Sequence, residues 1–511
     1  MVLKIVLLLV FFAVMIAVGI YCRKHTSDVN GFVLGGRSVG PWLTAFAYGT
    51  SYFSAVIFVG YAGQFGWKFG VASTWIGIGN ALLGSLLAWV VLGRRTRLMS
   101  QHLSSATMPQ FFGARYQSSA LKIAASAIVF VFLIPYTASL YNGLSRLFAM
   151  AFPGVDYSVC VVIMAALTGV YVIAGGYMAT AINDFIQGMV MLFGICAVIG
   201  AVLSQHGGFM ASLGALAEVS DPSASDMPGA FTSFFGPDPF GLLCVVILTS
   251  LGTWGLPQMV QKFYAIKSEK SINKGTVIST FFAIVVAGGC YFLGGFGRLF
   301  NVDVAKEGFD AVVPEMMSTL PDILIAIVII LVLSASMSTL SSLVLASSST
   351  LTLDFIKGGI CKKMSDRAQL LAMRLLIVVF IAVSAVIAIV QYKHNVVFIA
   401  QLMGVSWGAL AGAFLAPFLY GLYFKKASRA SAWVCFVFGA GIMTLNMVAR
   451  QAFPPVLQSP INCGVFAMLA GLVIVPIISL VTPQINAKDV DDMFSCYDKE
   501  VVVRTKESLG E

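Results

Sequence analysis

Long apolar stretches separated by short polar breaks run along almost the whole chain. About thirteen of these stretches are long enough for a helix to cross a hydrocarbon core of ~30 Å. Their approximate spans are 3–22, 40–66, 71–93, 119–149, 156–174, 183–204, 237–264, 274–297, 319–353, 369–391, 395–423, 430–450 and 461–482. The pattern predicts an all-α polytopic membrane protein, with a transmembrane domain over residues 1–482 and a polar tail over residues 483–511.

The composition supports this class. Of the 511 residues, 59% are hydrophobic and only 10% are charged, whereas soluble domains carry about 25% charged residues. The net charge of +9 does not indicate nucleic-acid binding, because the basic residues fall in short breaks between apolar runs and form no stripe with aromatic residues. We therefore expect a lipid bilayer around the chain and no nucleic-acid partner.

The distribution of basic residues predicts the orientation. If the N-terminus faces outward, alternate loops lie in the cytoplasm and hold the clusters of Lys and Arg, as the positive-inside rule requires. The long loop over about 205–236 contains no Lys or Arg and falls on the opposite side. An odd number of spans then places the tail 483–511 in the cytoplasm, and we expect the protein in the plasma membrane.

Two apolar stretches carry residues that weaken a helix near its middle. Residues 47–54 place hydroxyl groups around a glycine, and residues 249–257 contain two glycines and a proline. Unwound backbone at this depth is tolerated only where it lines a cavity or an ion site. Because the breaks lie five spans apart, they predict two inverted five-helix halves over about 40–204 and 237–423. A pair of ordinary buried kinks is the alternative.

The ninth apolar stretch is dense in hydroxyl groups. Ser338, Ser341 and Ser342 share one helix face at positions i, i+3 and i+4. Oxygen atoms at this spacing suit a hard monovalent cation. Small residues are also used for close packing between membrane helices, so serines alone do not establish a sodium site.

Asp184 is an ionisable residue at the start of the sixth apolar stretch. A carboxylate at such a position costs free energy unless it has a partner, and a bound cation would supply one. A carboxylate at a helix N-terminus, stabilised by the helix dipole, is the alternative.

Enzymatic function is not predicted. Residues 404–408 formally match G-x-S-x-G, but that motif needs a strand–turn–helix context that a membrane span does not provide. The cysteines are scattered singly with no CxxC pair, so we expect buried thiols and no zinc site. No cofactor is expected, and sodium would be the only metal ion. A transporter-like membrane sensor or a proton-coupled carrier is the alternative function.

Three segments resemble landmarks of the sodium:solute symporters, a family that includes sodium/proline, pantothenate, sialic acid and sodium/galactose carriers. The most specific is 171–187, which is similar to the family's GG…A…D..Q signature, and 34–37 and 107–112 match two more. The resemblance runs from about residue 20 to 425 and is closest in layout to the bacterial sodium/proline symporters. It implies a LeuT-type 5+5 inverted repeat with one N-terminal and two C-terminal extra helices.

The resemblance also implies ligand sets. One sodium site would use the carbonyls of Thr50, Phe53 and Ala335 with the hydroxyls of Ser338 and Thr339. A second sodium site, present in part of the family, would combine Asp184, Ser338, Ser341 and Ser342. The substrate would contact Ser51, Tyr52, Tyr136, Thr249, Thr253 and Trp254.

The function implied is secondary active transport that couples sodium influx to uptake of a small organic solute. The solute would be an amino acid such as proline, or a small carboxylate such as pantothenate or sialic acid. The sodium/proline carriers have an aspartate where this chain has Tyr52, and aromatic residues where it has Thr249 and Thr253. The substrate therefore stays open at the level of the sequence.

Overall fold

The structure is a computed structural model that describes residues 2–23, 28–152, 154–394 and 399–501. The helices of the first half are α1 (Val2–Cys22), α2 (Val29–Leu34), α3 (Pro41–Thr50), α4 (Ala62–Phe69), α5 (Thr74–Gly79), α6 (Arg94–His102), α7 (Met108–Arg115), α8 (Ser119–Ala151), α9 (Tyr157–Ser204) and α10 (Phe209–Ala217). Those of the second half are α11 (Pro239–Ser250), α12 (Pro257–Tyr264), α13 (Glu269–Ala283), α14 (Gly289–Gly294), α15 (Val304–Glu307), α16 (Val312–Ser318), α17 (Asp322–Thr350), α18 (Asp366–His394), α19 (Ile399–Tyr423), α20 (Arg429–Val448), α21 (Pro455–Gln458), α22 (Pro460–Val481) and α23 (Ala487–Phe494).

Several of these helices continue into π-helical turns, so the spans are longer than the α-helical bounds alone. The π-helical segments are Val56–Tyr61, Asn80–Leu87, Trp89–Gly93, Ile284–Gly288 and Leu351–Ile360. Within the described ranges, ten helical stretches are long and apolar enough to cross a membrane. The pair α11 and α12 adds an eleventh span if it is taken as one bent helix. The predicted class, a polytopic all-α membrane protein, is confirmed.

The predicted number of about thirteen spans stays a prediction. Two helical stretches that are continuous in the structure each contain a sharp break, so each corresponds to two of the predicted spans. Gly176 has φ 55° and ψ −148° inside α9, so the predicted spans 156–174 and 183–204 lie on either side of it. Gly70, with φ 61° and ψ −143°, separates α4 from the helix that begins at Thr74. Only glycine adopts such a backbone conformation without strain.

Both predicted breaks in the middle of a span are confirmed. The helix α3 ends at Thr50, and regular helical structure resumes with the π-helical turn at Val56. In the second break, α11 ends at Ser250 and a 3-10 turn over Gly252–Gly255 follows. Pro257 then begins α12, where its missing N–H costs no hydrogen bond. The two halves of this span meet at 50°.

The hydroxyl-rich helix α17 lies in the centre of the bundle. Every residue from Ser334 to Thr350 is buried, and the helix packs against α8, α9 and α18. Such a helix is surrounded by protein rather than by lipid, so its serines can contact other helices. Seven of the nine free cysteines are also buried, and Cys196 and Cys361 are exposed.

The polar tail is docked against the bundle over its described part. The hydroxyl of Tyr497 donates to the Leu422 carbonyl at 2.9 Å, and the Arg94 guanidinium donates to the Tyr497 carbonyl at 3.1 Å. Lys425 forms an ion pair of 2.6 Å with Asp491 on α23. The predicted tail residues 502–511, like residues 395–398 of the predicted span 395–423, lie outside the described residues.

Candidate functional site

The first broken helix is fastened to α17 at the point where its backbone leaves the helical path. The Thr339 hydroxyl lies 3.3 Å from the Phe53 carbonyl and 3.1 Å from the Ala335 carbonyl. Ala55 lies two residues after Phe53, and its backbone N–H donates to the Ser336 hydroxyl at 3.2 Å. Three of the five residues expected for the first sodium site therefore meet directly.

The other two expected ligands lie next to this group along the chain. Thr50 is the last residue of α3, and its carbonyl accepts the Phe53 N–H at 3.1 Å. Ser338 precedes Thr339 on α17, and its buried hydroxyl lies near the Asp184 carboxylate but makes no close hydrogen bond among the described residues. A buried hydroxyl without a partner is unfavourable, and a cation ligated by the oxygen would relieve that cost. The donor set fits sodium, which unwound backbone carbonyls coordinate in broken-helix transporters.

A second group of buried polar side chains surrounds Asp184, and this group includes a lysine. The Lys262 ammonium, on α12, donates to the Ser342 hydroxyl at 2.8 Å and lies 3.5 Å from the Asp184 carboxylate. Side-chain exposure is only 2% for Lys262 and 0% for Asp184. The Lys262 ammonium also lies 5.4 Å from the centre of the Tyr177 ring. Sequence reasoning missed Lys262, although an ionisable residue within an apolar span is a signal of function.

Ser341 and Ser342, both expected in the second sodium site, make different hydrogen bonds. The Ser342 hydroxyl accepts the Lys262 hydrogen bond, whereas the Ser341 hydroxyl donates to the Ser338 carbonyl of its own helix at 2.9 Å. Both carboxylate oxygens of Asp184 are without a hydrogen-bond partner within the described part of the chain. This carboxylate therefore interacts chiefly with the charge of Lys262, and more weakly with the Ser338 hydroxyl.

Tyr52 connects the two breaks. Its hydroxyl lies 2.5 Å from the Thr253 hydroxyl and 2.5 Å from the Gly84 carbonyl. A Cβ atom at Gly84 would lie 2.5 Å from the Tyr52 hydroxyl, so only glycine permits this approach. Two of the residues expected to contact substrate, Tyr52 and Thr253, are thus brought together.

The remaining expected substrate residues are buried but point in different directions. The Trp254 indole N–H donates to the Leu83 carbonyl at 3.1 Å, beside the Tyr52 contact. The Ser51 and Thr249 hydroxyls each donate to a carbonyl of their own helix at 2.8 Å. Tyr136 packs edge-on against the Trp407 ring, with centroids 5.8 Å apart.

Two residues near this group were missed by sequence reasoning. The Asn80 amide, in the orientation that lets its nitrogen donate, reaches the Thr249 hydroxyl at 2.9 Å. Trp407 supplies the aromatic partner of Tyr136. A buried asparagine in an apolar span is itself a signal, because it needs hydrogen-bond partners there. The position of Trp407 in the sequence gave no comparable signal.

One end of the bundle is closed by the segment that matched a family landmark. Gly35, Gly36 and Arg37 have φ of 58°, 65° and 56°, which turns the Arg37 side chain into the protein. Its guanidinium donates to the Ser100 hydroxyl at 3.0 Å, the Ser105 carbonyl at 2.6 Å and the Tyr264 carbonyl at 3.2 Å.

Beside Arg37, two chain segments form backbone hydrogen bonds with each other. One precedes the first broken helix, and the other follows the second. Val39 and Ile266 form a parallel bridge, in which the Val39 N–H donates to the Ala265 carbonyl and the Lys267 N–H to the Val39 carbonyl, both at 3.1 Å. The contacts of Arg37 and this bridge hold the entry of α3 against the end of α12. These contacts must separate if this end of the bundle is to open.

The second landmark, 107–112, has a local explanation. Thr107 caps α7, because its hydroxyl accepts the Gln110 N–H at 3.2 Å, and it donates to the buried Asp354 carboxylate at 2.6 Å. The G-x-S-x-G match over 404–408 lies inside the continuous helix α19, so it has no turn that would expose its serine.

Two known transporters are similar to this chain over nearly its whole length. The chain is 29% identical over 493 residues to a sodium/proline symporter of Staphylococcus aureus, covering 94% of this chain and 93% of that protein. It is 27% identical over 474 residues to the osmoregulated proline transporter OpuE of Bacillus subtilis, covering 91% and 93%.

A solved structure of a Na⁺-coupled sialic acid symporter, in a substrate-bound outward-open state, is similar with a TM-score of 0.75 and 18% identity. The match covers 95% of this chain and 99% of that one, and it confirms the predicted LeuT-type transporter fold. A model of the sodium:solute symporter family matches residues 32–439. This match spans both broken helices and α17, and the chain therefore belongs to the sodium:solute symporter family.

Proposed function

We propose that the protein takes up an amino acid or a small carboxylate together with sodium, by alternating access about the two broken helices. The observation that carries this proposal is the convergence of the Thr339 hydroxyl with the Phe53 and Ala335 carbonyls at the first break. Membership of the family makes sodium-coupled symport the activity, and the residues assigned to each ligand are our inference.

Sodium would be held by the carbonyls of Thr50, Phe53 and Ala335 and by the hydroxyls of Ser338 and Thr339. In the structure, the Thr339 hydroxyl directs its proton toward the two carbonyls. A sodium ion among these atoms would accept lone pairs from all of them, so the hydroxyl would rotate and present its oxygen instead. The ion would thereby tie the break to α17 more strongly than a hydroxyl proton does.

The solute would bind between the two breaks, near the contact of Tyr52 with Thr253. The six residues assigned to it are Ser51, Tyr52, Tyr136, Thr249, Thr253 and Trp254, all uncharged and all buried. Hydroxyl and indole groups suit a small zwitterion or a single carboxylate, because an N–H exposed at a helix break can donate to the acid group. Proline, pantothenate and sialic acid represent the chemistry to be tested.

Coupling requires sodium to prefer one conformation, because a ligand that binds two states equally shifts no equilibrium. We assign the end closed by the Arg37 contacts to the cytoplasm, with the N-terminus outside and the tail inside the cell, because the positive-inside rule favours this orientation. Sodium bound between the first break and α17 would stabilise the state in which this end is closed. The moving parts are the core repeats, about 40–204 and 237–423.

The test is uptake into proteoliposomes that contain the purified protein. Radiolabelled proline, other amino acids, pantothenate and sialic acid are offered with an inward sodium gradient, and with an equal potassium gradient as control. We expect one solute class to accumulate with sodium only. Accumulation driven by a proton gradient without sodium would support the proton-coupled carrier instead. Stabilisation by a solute without any uptake would support the sensor.

A further inference from the structure

The Lys262 ammonium occupies the position between α9 and α17 at which a second sodium ion is expected. It donates to the Ser342 hydroxyl at 2.8 Å and faces the Asp184 carboxylate at 3.5 Å. Two of the four residues expected to hold that sodium ion therefore already interact with Lys262. The charge of Asp184 is balanced by the ammonium, and the Ser342 hydroxyl accepts its hydrogen bond. The arrangement does not fit a sodium ion bound in addition to the lysine.

Charge is the first reason. Asp184 and Lys262 are both fully enclosed, at 0% and 2% side-chain exposure, so water screens their interaction little. One carboxylate balanced by one ammonium is neutral. A sodium ion added beside them would repel the ammonium at short range without a second carboxylate to offset it.

Geometry is the second reason. An ammonium has three donors and no acceptor, so it cannot ligate a cation. It directs one of its protons at the Ser342 oxygen, which sodium would need as a ligand. The Ser341 hydroxyl is bonded within its own helix. The Ser338 hydroxyl interacts with the Asp184 carboxylate but makes no close hydrogen bond among the described residues, and it also belongs to the expected first site.

The lysine differs from an ion because it is covalently attached to the broken seventh span. Lys262 belongs to α12, the second half of that span, whereas Asp184 lies on α9 and Ser342 on α17. If α12 shifts relative to α9 during alternating access, the shift would withdraw the positive charge from Asp184, and the return of α12 would restore it. The ion pair would then be made and broken with the conformation, while its cation stays on the protein.

We propose that Lys262 is a tethered cation that replaces the second sodium ion at Asp184, so that a single sodium ion accompanies each solute molecule. This inference rests on the proposed function, since it concerns the number of ions coupled to uptake. The inference predicts that a variant without the lysine binds one sodium ion more than the wild type. Without the ammonium, Asp184, Ser342 and Ser338 would offer oxygens to sodium.

The experiment compares the wild type with Lys262→Met, which keeps the length of the side chain and removes its charge. The ratio of ²²Na⁺ to labelled solute taken up, and the Hill coefficient for sodium, are measured in proteoliposomes. We expect both to be about one in the wild type and to approach about two in K262M. The double variant D184N/K262M removes both charges and should return both values to about one. Lys274→Gln, at an exposed lysine on α13, is the matched control and should resemble the wild type.

The outcomes separate this inference from the proposed function. Solute uptake that does not depend on sodium in the wild type would overturn the proposed function itself. Sodium-dependent uptake with a ratio of two in the wild type would overturn the tethered cation alone, and so would a ratio and Hill coefficient in K262M that stay at one. If K262M does not transport, ²²Na⁺ binding to the purified protein replaces the flux measurement, with one more ion bound than in the wild type as the expected result.

Discussion

The Tyr52 hydroxyl lies 2.5 Å from the Thr253 hydroxyl, and this contact joins the two broken helices directly. Tyr52 follows the end of α3, and Thr253 lies in the 3-10 turn between α11 and α12. Both residues are nearly fully buried, at 2% and 1% exposure. Two interruptions separated by about two hundred residues along the chain therefore form one polar group inside the bundle.

Replacing Tyr52 by Phe tests whether this group binds the solute. The change removes one hydroxyl and keeps the ring, so we expect the solute concentration for half-maximal uptake to rise about tenfold, equivalent to ~1.4 kcal/mol. The sodium dependence should stay nearly unchanged. Tyr141→Phe is the control, because the Tyr141 hydroxyl is also buried but has no hydrogen-bond partner among the described residues. Equal effects of the two substitutions on solute affinity would argue against a substrate role for Tyr52.

Ser338→Ala tests the first sodium site. The buried Ser338 hydroxyl makes no close hydrogen bond in the described part of the chain, although it interacts with the nearby Asp184 carboxylate, so its removal should perturb the fold little. Loss of one oxygen ligand should raise the sodium concentration for half-maximal uptake by roughly tenfold or more, since interactions with a charged group contribute ~1.5–3 kcal/mol. Uptake at saturating sodium should be retained in large part.

Ser349→Ala is the matched control for this experiment. Ser349 lies on the same helix, and its hydroxyl donates only to the Ala346 carbonyl one turn earlier, at 3.2 Å. A sodium dependence that is unchanged in both variants would show that Ser338 is not a ligand and that the first site is wrongly assigned.

The broken helices were predictable because the sequence itself weakens them. Clustered hydroxyls near Gly49, and two glycines before Pro257, mark the places where the observed helices end. The expected meeting of Phe53, Ala335 and Thr339 came from the family resemblance, and the structure brings the three together. Spacing along the chain cannot show such a contact, because it forms between helices far apart in sequence.

The contact between Lys262 and Asp184 could not be predicted from the sequence. Lys262 follows a polar stretch at the end of an apolar span, where a lysine ordinarily reaches toward water or lipid headgroups. Only the packing of α12 against α17 places its ammonium beside Asp184. Ser51 and Thr249 stay predicted substrate residues. Each hydroxyl donates within its own helix, so its oxygen lone pairs are what it can offer to a solute.

The break in α9 should depend on glycine at position 176. Its φ of 55° is unfavourable for other residues, and a Cβ atom there would lie 2.8 Å from the Phe32 carbonyl oxygen. We expect Gly176→Ala to destabilise the protein by ~1–3 kcal/mol, seen as a lower Tm of the purified protein. Gly200→Ala lies on the same helix, where a Cβ would meet nothing within 4 Å, and should leave Tm nearly unchanged. Equal Tm values for the two variants would show that the turn at Gly176 is not a constraint on the fold.

Arg37 offers a test of alternating access at a distance from the sodium ligands. Its guanidinium donates to groups on α6, on the segment after α6 and at the end of α12, and a lysine cannot reproduce this planar set of donors. Arg37→Lys should therefore weaken the closed end and lower the population of the state that binds sodium. Because apparent affinity falls with that population, the sodium concentration for half-maximal uptake should rise a few-fold, although Ser100, Ser105 and Tyr264, to which Arg37 donates, are not proposed ligands. Arg367→Lys, at an exposed residue near the start of α18, is the control. If Arg37→Lys instead lowers only the amount of folded protein, with unchanged sodium dependence of the remainder, the Arg37 contacts support the fold and do not participate in gating.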